Sequence, residues 1–358
     1  MIARHAARCL GATLIGLAVI ISGCVAAPGP PPPSGPPPAN EAGPLPPECP
    51  SRITDADQAR TALQRVQPAS LVCLSGDRLR DAELQVRTSG TREQPIRIIS
   101  DGAAVRSLTV KADYVVIQGL TLMNGDGLTM TGRGLLARQN VVYNATADGV
   151  ECRSCTDAVI ESNIVQRADG TGIWISGERI TVRNNTVSES VLRTQGDADG
   201  IRFFGRGHRL TQNTIRDIKA SGYGAEGPHT DCFQTYDSPH EPPTYDIVIA
   251  DNVCTNVDVQ CLIATNDGRG PSGAPAGRTA IIFERNRCAV NGAQAVLLRG
   301  FPQAVIRDNR FSGPGERAVM LTEGSTDVTV INNVVTGRLR PFDLDRQSEP
   351  GFRASGNT

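Results

Sequence analysis

Two segments of the chain, 199–204 and 231–236, place the same kinds of side chain at the same intervals. Each starts with an aspartate, has a long polar residue three positions later, and reaches an aromatic ring after two more: Asp199, Arg202 and Phe204, then Asp231, Gln234 and Tyr236. Two carboxyl groups can act as acid and base on a glycosidic bond. Aromatic faces stack on sugar rings, and polar groups hold hydroxyls or carboxylates. If the fold sets these segments side by side, they form a carbohydrate site.

Two further residues, His229 and Trp174, extend this set. His229 lies in a loop that has no counterpart elsewhere in the chain, and Trp174 aligns with Arg202 in a shorter copy of the segment. A histidine with a pKa near neutral can remove the proton at C5 of a uronic acid, and a neighbouring cation or amide can neutralise the developing enolate. We therefore expect a lyase or C5-epimerase acting on a uronic-acid polysaccharide. The expected catalytic residues are His229, Asp231, Tyr236 and Asp199, and the expected substrate-binding residues are Arg202, Gln234 and Trp174.

Each of these residues also has a plainer interpretation. Asp199 and Asp231 could hold Ca²⁺, which prefers oxygen ligands, or could only orient His229. They could equally stabilise turns, because Asp126 and Asp148 hold the same position in plainer parts of the chain. Trp174 could be an isolated surface aromatic residue, and Arg202 could pair with an acidic neighbour. At the level of function, a glycoside hydrolase with paired aspartates and a non-catalytic glycan-binding or adhesion protein are the alternatives.

The element that must position these residues is a repeat marked by asparagine. The residues five before, three before and two after each asparagine are nearly always apolar, and the commonest spacing is 22–24 residues. A fixed period in this range indicates stacked units. The short Val- and Ile-rich frames read as strands, so the units predict a parallel β-helix in which the asparagines form a ladder. The ladder residues are Asn140, Asn163, Asn185, Asn213, Asn252, Asn286, Asn309 and Asn333.

The asparagine frame resembles the right-handed parallel β-helix proteins of the pectate-lyase-like superfamily, over roughly residues 70–358. This resemblance implies an all-β solenoid, but no single activity. A short capping helix is expected at the N-terminal end, because the open end of a solenoid must be covered. Residues 228–234 resemble an H-x-D-x-x-Q element of secreted bacterial β-helix proteins and, in part, the D-P-H-D element of mannuronan C5-epimerases. Residues 90–98 resemble the first rung of the chondroitinase-B and alginate-lyase family, which uses a lysine base that has no match here.

Insertions interrupt the regular spacing between Asn185 and Asn286, where the intervals grow to 28, 39 and 34 residues. The added residues lie at 188–199, 216–231, 236–245 and 265–279, on both sides of the segments that begin at Asp199 and Asp231. Long loops grouped on neighbouring rungs usually carry function. They predict a groove over the central rungs.

The N-terminus reads as an export signal. Arg4, His5 and Arg8 precede an apolar run at 10–21 that is too short to span a bilayer. The sequence Ile21-Ser22-Gly23-Cys24 resembles a bacterial lipobox, which implies a signal peptide over 1–23 and lipid on Cys24. The alternative is ordinary cleavage after 25–27. We expect an exported protein anchored by lipid to the outer face of the cell membrane.

Residues 24–48 are rich in proline and predict an extended polyproline tether, so the folded domain is expected over 49–358. Residues 54–57 resemble a capping box that would start a helix ending near Val66. The chain has 36 Lys and Arg against 37 Asp and Glu, with no basic run, which argues against a nucleic-acid partner. We expect a monomer whose partners are a polysaccharide and the membrane.

Eight cysteines remain besides Cys9 and Cys24, and an even number in an exported chain predicts disulfides. Cysteines in equivalent positions of adjacent rungs would lie within bonding distance. On this basis Cys254 is expected to pair with Cys288 and Cys232 with Cys261. Elimination leaves Cys49 with Cys73, and Cys152 with Cys155. Some of the eight could instead be buried free thiols.

Overall fold

The computed structural model describes residues 30–194, 196–223, 227–268, 274–275 and 277–358. Cys24 and the expected signal peptide lie outside these residues. The described elements are one α-helix, α1 (Ala56–Gln64), one short 3₁₀ helix (Arg346–Ser348) and a series of mostly short strands. In chain order the strands are β1 (Arg52–Ile53), β2 (Leu71–Leu74), β3 (Glu83–Val86), β4 (Ile96–Ser100), β5 (Ala104–Lys111), β6 (Val115–Gln118), β7 (Thr121–Thr131), β8 (Leu136–Arg138), β9 (Val141–Tyr143), β10 (Val150–Thr156), β11 (Val159–Glu161), β12 (Ile164–Gln166), β13 (Thr171–Glu178), β14 (Thr181–Arg183), β15 (Thr186–Ser188), β16 (Asp199–Arg206), β17 (Arg209–Thr211), β18 (Thr214–Arg216), β19 (Asp231–Tyr236), β20 (Ile247–Ala250), β21 (Val253–Thr255), β22 (Gln260–Thr265), β23 (Ile281–Glu284), β24 (Arg287–Ala289), β25 (Gln294–Arg299), β26 (Ala304–Arg307), β27 (Arg310–Ser312), β28 (Arg317–Thr322), β29 (Thr329–Ile331), β30 (Val334–Val335), β31 (Arg340–Leu344) and β32 (Arg353–Ser355).

The strands stack in parallel into three faces of a β-helix, as the repeat predicts. Face 1 runs from β1 to β32, face 2 from β9 to β30, and face 3 from β3 to β31, with β5 and β7 joining faces 2 and 3. Inward residues alternate with outward ones, so the Val, Ile, Leu and Phe side chains of all three faces form one continuous buried core. Helix α1 packs Ala59 and Leu63 over the first rung. Its N-cap is Asp55, whereas the capping box expected at 54–57 would place the N-cap at residue 54.

The asparagine ladder is present at the corner between faces 1 and 2. The residue before each predicted ladder asparagine has a φ of 53–60°, a left-handed bend that turns the chain. Each buried asparagine donates from Nδ2 to Oδ1 of the next one at 2.9–3.1 Å, and the series continues to Asn357. A second bond from the same Nδ2 reaches a backbone carbonyl, as from Asn185 to Ile160. The ladder thus satisfies polar groups that the bend would leave buried and unpaired.

Four disulfides join the eight cysteines between Cys49 and Cys288. Cys49 bonds Cys73, and Cys152 bonds Cys155, as predicted. The other two predicted pairs are wrong, because the structure joins Cys232 to Cys254 and Cys261 to Cys288.

The geometry of the regular rungs explains this pairing. The small residue that opens each central face 3 strand points inward, against the residue two after the ladder asparagine of the next rung. A Cβ on Gly172, for example, would lie 2.2 Å from a methyl group of Val187. Cys232 occupies the position of the small residue that opens the face 3 strand, and Cys254 occupies the position two after the ladder asparagine of the next rung. Their bond therefore runs diagonally between rungs, with Cα atoms 6.2 Å apart. Cys254 and Cys288 do stand opposite each other in register, but each points across the interior to a face 3 cysteine.

The proline-rich segment lies against the side of the β-helix over the described residues 30–48. Proline lacks an N–H, and the main contacts come from other residues. Ser34 donates its backbone N–H to Glu189 at 3.2 Å, and Asn40 donates to the Thr121 hydroxyl at 2.9 Å. Leu45 is buried beside the Cys49–Cys73 disulfide. The segment is therefore docked along several rungs. Among the described residues, no helix is long and apolar enough to cross a membrane.

A buried histidine, His208, makes the fold sensitive to acid. Its Nδ1 accepts from the Ile180 N–H at 3.1 Å, and burial lowers its pKa from 6.5 to about 4, against the opposing effect of the Phe204 carbonyl. The unfolded chain binds a proton on this ring at a higher pH than the folded chain does. Stability is therefore complete above pH 6.5 and falls as the pH drops towards 4, by on the order of 3 kcal/mol.

Urea unfolding of the wild type and of His208→Gln at several pH values tests this acid sensitivity. We expect the free energy of unfolding of the wild type to fall more steeply than that of the variant between pH 6.5 and 4. Equal slopes for the two proteins would contradict the assignment.

Candidate functional site

The candidate site is a groove on the outer surface of strands β10, β13, β16 and β19 of face 3. The register places Glu151, Trp174, Arg202 and Gln234 in one outward column, each beside the next. The described parts of the insertions, between β15 and β16, β18 and β19, β19 and β20, and β22 and β23, flank these strands. The two segments aligned in the sequence therefore lie side by side, with Ile201 and Phe233 paired in the core.

Arg202 lies at the centre of the groove between two aromatic rings. Its guanidinium carbon is 5.0 Å from the centre of the Trp174 ring and 5.6 Å from that of Tyr236. Its Nη2 donates to Asp199 and to Asp197, the latter at 3.0 Å. Burial lowers the pKa of Arg202, but the combined effects of Asp199, Tyr236 and Asp197 outweigh it, and the net shift is upward. Arg202 thus forms ion pairs with acidic neighbours, which is the alternative to substrate binding that the sequence left open.

A column of aspartates lies at the edge of the groove, where the face 3 strands begin, and two of its members are completely buried. Asp148, Asp199 and Asp231 each accept the backbone N–H of the following rung through Oδ1, at 2.8, 3.1 and 3.0 Å. One oxygen of each carboxyl therefore stabilises the turn. The second oxygen of Asp199 binds Arg202, and that of Asp231 lies 3.4 Å from the side-chain nitrogen of Gln234.

These three aspartates have raised pKa values. Burial raises the pKa of Asp148 to about 6, and burial likewise raises that of Asp199 to about 6 against the attraction of Arg202. Burial and the nearby charge of Asp199 together raise the pKa of Asp231 well above its ordinary value. Carboxyl groups that hold a proton close to neutral pH can act as general acids.

The structure does not bring His229 into contact with Asp231. The His229 side chain is exposed, whereas Asp231 is completely buried and turned towards the N–H of Gln260. The backbone carbonyl of His229 instead accepts from Ala198, which ties the two insertion loops together beside the groove. Tyr236 is half-buried next to Arg202, with its ring 5.0 Å from that of Phe204. The catalytic roles of His229 and Tyr236 stay predictions.

Four residues of the site are not predicted from the sequence: Glu151, Arg153, Asp197 and Glu241. The Arg153 guanidinium covers Trp174 at 4.3 Å, and it pairs with Glu151 and, at 2.8 Å, with Glu241. Glu241 also accepts from Ser176 at 2.6 Å. Arg153, Ser176 and Glu241 border a cleft of about 410 Å³ beside the groove. The only signal in the sequence is the Cys152–Cys155 spacing, because that disulfide closes the bulge that presents Arg153.

Several buried polar atoms on these rungs have no partner among the described residues. They are Trp174 Nε1, Arg202 Nε, the side-chain oxygens of Gln234 and Gln260, and the hydroxyls of Thr171 and Thr230. Buried polar groups are nearly always hydrogen-bonded, so such a cluster marks a place where a polar ligand can bind. Across the described residues, no group of three or more His, Cys, Asp or Glu is arranged to hold a metal ion.

Solved structures with the same architecture include carbohydrate-active proteins. The catalytic unit of the GH87 alpha-1,3-glucanase from Streptomyces thermodiastaticus strain HF3-3 has a TM-score of 0.60, with 12% identity over 89% of this chain and 70% of that one. The alginate lyase from Paenibacillus sp. str. FPU-7 has a TM-score of 0.50, with 15% identity over 86% and 98% of the two chains. The GH136 lacto-N-biosidase from Eubacterium ramulus also reaches 0.50, with 11% identity over 84% and 63%. At such identities the likeness is one of fold.

No curated protein sequence matches this chain. At the level of sequence families, the right handed beta helix region matches residues 126–335, which include every ladder position from Asn140 to Asn333. This match covers more than half of the chain and contains the whole groove. The chain therefore belongs to the right-handed β-helix family.

Proposed function

We propose that this protein is a glycan-active enzyme that hydrolyses glycosidic bonds in the groove of β10, β13, β16 and β19. The observation that carries the proposal is the column of Asp148, Asp199 and Asp231, whose pKa values are all raised, beside the aromatic rings of Trp174 and Tyr236. Hydrolysis of a glycoside needs one carboxyl group that is protonated and one that is ionised. The half-buried ring of Tyr236 leaves part of an aromatic surface open to a sugar ring next to these carboxyl groups.

Asp148 is the proposed general acid. It is only partly buried, and its pKa of about 6 keeps it mostly protonated below pH 6 and leaves about a tenth of it protonated at pH 7. Asp197 is the proposed base, because its side chain is 27% exposed and its ion pair with Arg202 holds it at the groove. Asp199 and Asp231 are fully buried and act as positioning residues for Arg202 and Gln234.

A second candidate is elimination or epimerisation of a uronic-acid unit, favoured by the position of Tyr236. Its half-buried ring lies 5.6 Å from the Arg202 guanidinium, where a proton donor could act close to a cation. In this version His229 is the base, Arg202 and Gln234 bind the carboxylate, and Ca²⁺ on Asp199 and Asp231 is an optional cofactor.

The discriminating experiment measures two products from a panel of polysaccharides, with calcium and with chelator. New reducing ends without an unsaturated, ultraviolet-absorbing product are expected, because hydrolysis leaves no double bond. Trp174→Ala should lower the rate, whereas Leu297→Ala, in the same outward column at a distance from the groove, should not. An absorbing product would favour the lyase and overturn hydrolysis. Binding with neither product would make the protein a glycan-binding β-helix.

We also propose that the protein is exported and held to the membrane by lipid on Cys24. The docked proline-rich segment supports a specific placement, since Pro31 lies beside Gly222 in an insertion loop of the central rungs. The seven residues from Cys24 to Pro31 could span only about 22 Å, so the anchor would hold the central rungs close to the membrane. The mass of the mature N-terminal peptide, compared with that of Cys24→Ser, tests the lipid, and an unmodified Cys24 would refute it.

A further inference from the structure

We infer that the glycan bound in this groove carries free, protonated amino groups. The inference rests on the proposed function and specifies its substrate class. It depends on the balance of charge in the groove, on the partners of its two guanidinium groups, and on the kinds of buried atom that face the ligand.

Acidic groups outnumber basic ones among the described residues of the groove. The carboxyl groups are Asp148, Glu151, Asp197, Asp199, Asp231 and Glu241, and the guanidinium groups are Arg153 and Arg202. When all are ionised, the excess is four negative charges, and when the three aspartates with raised pKa values hold protons it is one. Charges in a partly buried groove are only weakly screened by water and salt. The groove therefore attracts cations and repels anions.

Both guanidinium groups are already neutralised by neighbouring carboxylates. Arg202 bonds Asp197 and Asp199, and its side chain is only 10% exposed. Arg153 bonds Glu151 and Glu241. A uronic-acid carboxylate entering the groove would have to displace one of these carboxylates or remain unpaired, and an unpaired buried charge is costly.

Buried acceptors without a partner among the described residues are spread along the aspartate column and beside it, over four successive rungs. The side-chain oxygens of Gln234 and Gln260 are buried without a partner among the described residues, in residues that are only 7% and 5% exposed. The Thr171 and Thr230 hydroxyls can also accept. An ammonium group has three donors and no acceptor, so it can use these oxygens together with the negative field of the aspartates. The two free donors, on Trp174 and Arg202, remain available for sugar hydroxyls.

The test compares three oligosaccharides, of which one carries amino groups, one carries neutral acetamido groups in their place, and one carries carboxylates. Affinity is measured by calorimetry for a glucosamine oligomer and for its fully N-acetylated form, at a pH where the amines are protonated, and for an oligouronate of the same length. The amine form is expected to bind about tenfold more tightly than the acetylated form, a difference of ~1.4 kcal/mol. This difference should shrink as salt is raised.

Matched variants connect the preference to the groove. Asp197→Asn should reduce the preference for the amine form, whereas Asp343→Asn, in the same outward column at the far end of face 3, should not. Equal affinity for the two forms, or tighter binding of the oligouronate, would overturn the amino-sugar inference while leaving a glycan site in place. No binding of any of the three oligosaccharides would count against this inference and the proposed function together.

Discussion

Replacing Asp148 by asparagine is expected to slow glycan cleavage by about 10²–10⁴-fold, the usual contribution of a general acid. The change should leave the fold intact, because the asparagine side-chain oxygen can still accept the Thr171 N–H that Asp148 Oδ1 accepts at 2.8 Å. What the variant loses is the proton. Since the substitution alters one atom of a partly buried side chain, a loss of rate without a loss of stability separates catalysis from structure.

The pH profile provides a second measure of the same role. Burial holds the pKa of Asp148 at about 6, so the acid is mostly protonated below this pH and mostly ionised above it. For the wild type, kcat/KM is expected to fall about tenfold per pH unit once the pH exceeds about 6. The residual activity of Asp148→Asn should lack this decline, because the titrating group is gone.

The chain supplies a matched control in Asp126. This residue holds the same column one rung earlier, outside the groove, and is exposed, with its carboxylate bonded to the Thr146 hydroxyl at 2.8 Å. Asp126→Asn should retain the wild-type rate and pH profile. If Asp148→Asn cleaves as fast as the wild type, or keeps the decline above pH 6, another residue is the acid.

The parts of the structure that repeat could be predicted from the sequence. The asparagine frame predicts the β-helix because each ladder residue follows a left-handed bend that needs the same amide in every rung. The alignment of 199–204 with 231–236 predicts that Arg202 lies beside Gln234. In a stack of rungs, residues at the same position of successive repeats become neighbours in space.

The direction in which a side chain points and the contacts made by inserted loops could not be predicted in this way. Register places Cys254 beside Cys288, but it does not say that each points across the interior to a cysteine of another face. Glu241 reaches Ser176 from a loop that has no equivalent in other rungs. For the same reason, nothing in the sequence indicates that His229 faces solvent while Asp231 is buried.

Replacing Asn185 by leucine is expected to destabilise the β-helix by about 3–6 kcal/mol, which is large for a single substitution. Asn185 Oδ1 accepts from the backbone N–H of Asn163 at 2.9 Å and from its Nδ2 at 3.0 Å, and its own Nδ2 donates to the Ile160 carbonyl at 2.9 Å. Leucine has a similar shape but removes all of these bonds. Each polar group left buried without a partner costs about 1–3 kcal/mol.

The last ladder residue described, Asn357, gives the comparison that isolates burial as the cause. It makes equivalent bonds, to Asn333 at 3.0 Å and to the Val330 carbonyl at 2.8 Å, but it is only partly buried. Water can therefore replace the lost bonds, and Asn357→Leu should cost much less than Asn185→Leu in urea unfolding. Hydrogen exchange should show the loss at Asn185 spreading to neighbouring rungs, because each rung of a solenoid is held by its neighbours. Equal costs at the two positions would mean that the ladder stabilises the fold by packing and shape, and that its hydrogen bonds contribute little.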